Sequence, residues 1–162
     1  MQIWQPAYVG VGSNLAEPRR QVESACARLT QLRNTRRVRV SRLYLSRAFG
    51  PVAQPDFVNA AVGLLTQLSA PELLEEMRAL ETSFGRPTRR ERWGPRILDL
   101  DLLCFGRERR ADPTLTLPHP GIVERNFVLY PLADIAPELE LPGLGRVTEL
   151  KARVTSEGLT VL

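Results

Sequence analysis

Several things are scarce in this sequence. No apolar run approaches the roughly 20 residues that a membrane-spanning helix needs, so no membrane partner is expected. The N-terminus, Met-Gln-Ile-Trp-Gln-Pro, lacks a basic region followed by an apolar one, which argues against a signal peptide. Cys26 and Cys104 are the only cysteines and form no ligand-like cluster. A reduced, cytoplasmic protein is the simplest reading. No repeat, low-complexity tract or linker interrupts the chain, so residues 1–162 are expected to form a single domain with a self-sufficient core. Lysine is nearly absent: Lys151 stands alone and arginine carries the basic charge. Genomic base composition alone can produce that bias, so arginine richness in itself carries little weight.

What is present is ordinary in bulk. The hydrophobic fraction is 43% and the charged fraction 25%, as in soluble globular proteins. A formal net charge of +4 and a pI near 9.7 suit an anionic partner, either nucleic acid or a phosphorylated small molecule.

The most informative stretch runs from Gly85 to Leu103. Its first half is a loop punctuated by Gly85, Pro87, Gly94 and Pro95. It carries Arg86, Arg89, Arg90, Arg92 and Arg96 around one aromatic, Trp93. Its second half, 97–103, alternates like a strand: Leu98, Leu100 and Leu102 point one way, Ile97, Asp99, Asp101 and Leu103 the other. Carboxylates two residues apart on a strand share a face, with Cα atoms roughly 6–7 Å apart. Unshielded at 4 Å they repel by about 4 kcal/mol at an effective dielectric near 20. Mg²⁺ accepts one or two carboxylates and fills its other positions with water and phosphate oxygens. Guanidinium groups grip phosphate through paired hydrogen bonds. The stretch reads as a site for a metal-bound polyphosphate, or equally as a solvated Asp pair beside a charged surface loop; the residues alone leave both open.

The rest of the chain falls into alternating patterns. Residues 7–12 read as a first strand ending in small residues. Gly10-x-Gly12 lacks the third glycine of a dinucleotide fingerprint, since Leu15 stands there, so a tight strand-to-helix turn is the better reading. Pro18 suits a helix start, and Val22, Ala25, Cys26, Leu29 and Leu32 recur at helical spacing. Residues 38–45 read as a second strand and 57–66 as a third, joined by a Pro/Gly-bearing loop of the kind that often carries function. Ser69-Ala-Pro-Glu72 is a capping box that opens a second helix, with Leu73, Leu74, Met77, Leu80 and Phe84 on its apolar stripe. Glu81 lies near the C-terminal end of that helix, where the dipole disfavours a carboxylate, so a salt bridge or a functional demand is expected there. After the Asp strand, 113–117 reads as a short edge strand, and Pro118-His-Pro-Gly121 as a rigid turn around the only histidine. Residues 126–135 read as helical, with Pro131 limiting them to short pieces. The remainder reads as a short hairpin and tail.

The order β-α-β-β-α-β gives an α+β fold, the ferredoxin-like split β-α-β arrangement: an antiparallel sheet with helices packed on one face and the other face free to carry a site.

These motifs resemble the 6-hydroxymethyl-7,8-dihydropterin pyrophosphokinase family. The resemblance rests on Gly12-Ser-Asn-Leu15, Gln54-Pro-Asp-Phe-Val-Asn59, Leu80-Glu81 with Gly85-Arg86, Trp93-Gly-Pro-Arg-Ile-Leu-Asp-Leu-Asp101, Pro118-His-Pro120 and Arg125-x-Phe127. It implies an ATP-dependent diphosphokinase of folate biosynthesis that moves the diphosphate of ATP onto the pterin hydroxymethyl group. By the same resemblance Asp99 and Asp101 bind two Mg²⁺ ions; of the residues that serve the chemistry, Arg86 and Arg96 face the phosphates, and Arg92 and Trp93 belong to a loop that closes over the reactants. Ser46, Phe49, Phe57, Asn59 and Phe127 correspond to pterin-side residues, with Phe57 and Phe127 stacking on the ring. Arg78, Glu81, Leu102, Thr116, His119 and Arg125 correspond to ATP-side residues. The implied partners are ATP and the pterin, with no nucleic acid and no membrane, on a monomer. Departures are Ser46-Arg47-Ala48 in place of Thr-x-Pro, Thr114 and Pro120 on the nucleotide side, and Ala16 where the family has glycine. The alternative from another class is a basic ferredoxin-like RNA-binding module. It would need exposed aromatics on the central strands, where this chain has Asp99 and Asp101.

Overall fold

The computed structural model describes residues 3–48, 50–85 and 97–162. Its main sheet is antiparallel, built from β1 (Gln5–Ser13), β2 (Thr35–Val40), β3 (Tyr44–Ser46), β4 (Phe57–Thr66), β5 (Asp99–Phe105) and β10 (Leu159–Val161). The strand order is β10-β3-β4-β1-β5, with β2 pairing β4 beyond β3. Helices α1 (Pro18–Arg28) and α2 (Ala70–Ser83) pack on one face, as the sequence pattern predicts. Val22, Ala25, Cys26 and Leu29 from the first side, with Leu73, Met77 and Leu80 from the second, close over Val9, Val11, Val62, Leu100 and Leu102. The capping box of α2 is complete: Glu72 N–H donates to Ser69 Oγ at 3.2 Å, and Ser69 N–H to Glu72 Oε1 at 3.0 Å. Burial pushes the Cys26 and Cys104 thiols up to about 11, so both are inert core residues at neutral pH.

Four details differ from the sequence expectation. The strand read over 38–45 is two strands. Between them Ser41 Oγ accepts the Ala61 N–H at 2.8 Å in place of a backbone carbonyl, and the ladder breaks. The segment 113–117 is not an edge strand of the main sheet; β7 (Thr116–Leu117) pairs with β6 (Arg110–Ala111) in a separate hairpin. Residues 126–135 form one unbroken helix, α3 (Asn126–Ile135), in spite of Pro131. Burial of Val128, Leu129, Leu132 and Ile135 offsets the lost hydrogen bond. The tail holds more than the expected hairpin of β8 (Glu140–Leu141) and β9 (Gly145–Arg146): α4 (Val147–Ala152) follows, and β10 joins the main sheet beside β3.

The second sheet face is therefore not wholly free. α3 and α4 cover one end of it, over Ala61, Leu103 and Cys104. Tyr44, 1% exposed, ties α3 to the sheet by donating to Asp134, which also accepts from Arg42. What remains open is the end where β1 finishes and β5 begins.

Candidate active site

Strand register assembles the open end. Gly12 of β1 lies opposite Asn59 of β4 on one side and Asp99 of β5 on the other. Gly10 likewise lies between Ala61 and Asp101. Paired residues of an antiparallel sheet point to the same face, so Phe57, Asn59, Asp99 and Asp101 share it. At about 4.8 Å per strand, the Asn59 and Asp99 backbones stand about 10 Å apart. The two glycines between them form a bare floor. A Cβ on Gly12 would sit 3.3 Å from Asn59 Oδ1 and 3.8 Å from Phe57 Cδ1. Sequence reading took Gly10-x-Gly12 for a turn; their signal is visible only through the register.

Two sequence motifs meet at the edge of this floor. Asn14, 2% exposed, donates through Nδ2 to Gln54 Oε1 at 2.8 Å and to the Pro55 carbonyl at 2.9 Å. The turn after β1 thereby fixes the loop that leads into β4. Asn59, buried, donates through Nδ2 to Ser46 Oγ at 2.7 Å. Ser46 therefore orients the amide, which still has an acceptor oxygen for a flat heterocycle's edge. Phe57 stands on β4, and Phe127 on the first turn of α3.

On the β5 side, an open cavity of about 310 Å³ lies between α2, the sheet edge and the 113–120 segment. Its wall joins Arg78, Glu81, Asp99, Asp101, Thr116 and His119 to an apolar part that includes Leu102 and Met77. This gathers the residues expected on the ATP side, Arg125 excepted. Arg125 borders a second hollow of about 410 Å³, with Ser46 and Phe127. Its guanidinium lies over Gly121, where any Cβ would meet Cζ at 2.6 Å.

Glu81 is 5% exposed, and its Oε2 accepts the backbone N–H of Leu100 at 2.8 Å. β5 is the outer strand of the sheet, and this carboxylate caps the edge N–H between the two aspartates. That answers the question raised by an acid at the wrong end of a helix: it is turned inward to the strand.

His119 is anchored to β5 by its own N–H donating to the Leu103 carbonyl at 2.9 Å. Burial, then the Arg125 charge, push its imidazole down to about 4, against a smaller opposing pull from Asp99. The ring is neutral at pH 7. Its Nδ1 accepts the Gly121 N–H at 3.1 Å, which assigns the proton to Nε2. Nε2 faces Asp101 Oδ1 at 3.7 Å, too far for a direct hydrogen bond and, with a neutral ring, no ion pair.

Among the described residues, no group of three or more His, Cys, Asp or Glu side chains forms a metal cage. The Asp99 and Asp101 pair is partly exposed at the mouth of the cavity. Two hard oxygen donors with room for water and phosphate suit Mg²⁺ and leave most of its shell to the other ligands. The expected site residues Phe49, Arg86, Arg92, Trp93 and Arg96 lie outside the described residues.

Residues 8–137 match the family 7,8-dihydro-6-hydroxymethylpterin-pyrophosphokinase (HPPK). The 2-amino-4-hydroxy-6-hydroxymethyldihydropteridine pyrophosphokinase of Pseudomonas aeruginosa is 48% identical over 155 residues, 96% of this chain and 95% of that protein. The protein of the same name from Haemophilus influenzae is 44% identical over 144 residues, 89% of each chain. A Plasmodium falciparum HPPK-DHPS structure with pterin and p-hydroxybenzoate has the same fold at 13% identity, with a TM-score of 0.77. It covers 99% of this chain, which spans 47% of that longer one. Motifs, topology and relatives agree, and the chain belongs to the 7,8-dihydro-6-hydroxymethylpterin-pyrophosphokinase family of enzymes.

Proposed function

We propose that this protein transfers the terminal diphosphate of ATP to the hydroxymethyl oxygen of 6-hydroxymethyl-7,8-dihydropterin, leaving AMP, within a single catalytic domain. A bond forms between the alcohol oxygen and the β-phosphorus. The bond from that phosphorus to the oxygen shared with the α-phosphate breaks, and the alcohol proton is released. The observation that carries this reading is the register across β4, β1 and β5. It holds an amide and an aromatic on one side of a glycine floor and two carboxylates on the other, beside a cavity of nucleotide size.

Each group has a physical task. Phe57 and Phe127 stack on the pterin, and Asn59, held by Ser46, hydrogen-bonds its polar edge. Phe49 belongs to the same side. Leu102 and Thr116 line the adenine, with Arg78 at the rim. The outer edge of β5 supports this, because antiparallel alternation gives Leu102 the same outward backbone orientation as Leu100. Arg125 and the Nε2–H of neutral His119 face the phosphates. Asp99 and Asp101 would hold two Mg²⁺ ions, which when bound neutralise phosphate charge and align the reacting oxygens. Arg86, Arg92, Trp93 and Arg96 would grip the polyphosphate and exclude water that could waste it.

The test is to mix the protein with Mg-ATP and the reduced pterin alcohol and to measure AMP. AMP should appear only when the pterin is present. Asp99→Ala and Asp101→Ala should each abolish turnover while the protein still melts cooperatively. AMP formed without pterin, or an unchanged rate in either variant, would refute the assignment.

A further inference from the structure

The last eight residues touch both sides of the hollow next to Phe127. The buried core ends at Leu150, and the family match ends at residue 137. Residues 155–162 nevertheless make specific bonds. Asn126, the first residue of α3, spends its side-chain amide on them, donating through Nδ2 to the Thr155 carbonyl at 2.9 Å and the Glu157 carbonyl at 3.0 Å. Across the hollow, β10 pairs with β3, Leu159 lying opposite Ser46. The Arg47 N–H donates to the Gly158 carbonyl at 3.3 Å, and the Leu162 N–H to the Leu43 carbonyl at 2.9 Å. Gly158 has φ +73, and a Cβ there would meet the Arg47 side chain at 3.5 Å. Thr155 and Gly158 line the hollow of about 410 Å³ together with Ser46, Arg47, Arg125 and Phe127.

We infer that residues 155–162 are a positioning element for pterin binding: they tie α3, which carries Phe127, to β3, which carries Ser46. This rests on the pterin reading given above. A stacking slot works only at one width, since the ring must touch both aromatic faces. Phe57 is fixed by the centre of the sheet; α3 is held by Leu129 and Leu132 and joined to β3 through Tyr44 and Asp134, but Phe127 and Ser46 lie at the ends of these two elements, away from that bond, where the tail spans from one to the other. The tail links them at little cost in stability, because its residues are mostly exposed. Its release therefore leaves the fold standing and lowers the fraction of molecules with a slot of the right width. The cavity on the β5 side is lined by no residue of the tail, and of the ATP-side residues only Arg125 borders the tail's hollow, so nucleotide binding depends on the tail less than pterin binding does.

The experiment uses the full chain with Asn126→Ala, and with Asn126→Ala plus Gly158→Val, the valine being strained at positive φ. Amide exchange at Leu159 and Leu162 reports release of the tail. Fluorescence titration with 6-hydroxymethylpterin and calorimetry with a non-hydrolysable Mg-ATP analogue report the two sides. The double variant should bind the pterin on the order of tenfold more weakly, and Asn126→Ala roughly threefold, because apparent affinity scales with the competent fraction. The ATP analogue should lose clearly less affinity than the pterin, since only Arg125 among the ATP-side residues borders the tail's hollow. A released tail with unchanged pterin affinity overturns the inference. So does equal weakening of both ligands, or a tail still protected in the double variant. An unaltered chain that binds no pterin at all would instead remove the functional reading beneath it.

Discussion

Replacing Glu81 tests whether it acts by accepting the Leu100 N–H or through its charge. Its Oε2 accepts the Leu100 N–H at 2.8 Å, with Glu81 5% and Leu100 6% exposed. Glu81→Ala leaves that N–H without its acceptor, and an unsatisfied buried donor costs about 1–3 kcal/mol. Loss of one carboxylate near Asp99 and Asp101 relieves some repulsion, so a net loss of about 2 kcal/mol is expected. For a chain of this length that corresponds to a fall of about 4–8 °C in Tm. Glu81→Gln keeps an acceptor oxygen and should stay within about 1 kcal/mol of the parent. The same ranking should hold for Leu100 amide exchange: fast in the alanine variant, slow in the glutamine one. It should hold for turnover too, because the strand edge between the two aspartates is pinned in one and loose in the other. A glutamine variant as slow as the alanine variant, with Leu100 still protected, would refute this. The carboxylate charge itself would then be what matters, as expected of a direct nucleotide contact.

Other expectations follow from single positions. Gly12→Ala places a methyl 3.3 Å from Asn59 Oδ1, so pterin affinity should fall several-fold while Tm hardly moves; an unaltered titration would show that the floor tolerates a side chain. His119 is the only histidine, so its NMR titration is unambiguous; the midpoint in the unliganded protein should lie at about 4, and one near the ordinary 6.5 would refute the burial argument. Because folding depresses this group, its neutral form's contribution to stability is complete above pH 6.5 and lost as pH falls through about 4, which acid melts of His119→Gln against the parent would register. Ala16 has φ 54, a left-handed conformation that costs a residue with a Cβ. Ala16→Gly should stabilise by about 0.5–1 kcal/mol in denaturant melts, and a destabilised variant would show that the turn gains nothing from glycine there.

Local chemistry made much of this protein legible from its sequence. The capping box at Ser69, the helical stripes of α1 and α2 and the alternation of β5 each depend on neighbours within a few residues. The Asp99 and Asp101 pair was visible for the same reason: a period of two puts both on one face whatever lies opposite. Ser41 was not legible as a strand break, because its hydroxyl acts on Ala61, a residue far along the chain. Pro131 misled, since the apolar burial that keeps α3 whole comes from other elements. The tail gave no periodic signal, and its strand exists only because β3 offers an edge.

The sequence by itself determined α1, α2, β1, β4 and β5, the acidic pair and the family. Only the tertiary structure decided that Gly10 and Gly12 are a floor, that Glu81 faces the strand, that α3 and α4 cover one end of the second sheet face, and that the last residues bridge β3 and α3. The physical reason is range. Propensity, capping and alternation act between neighbours, whereas register and burial are fixed by contacts between residues distant in the chain, which a local pattern does not encode.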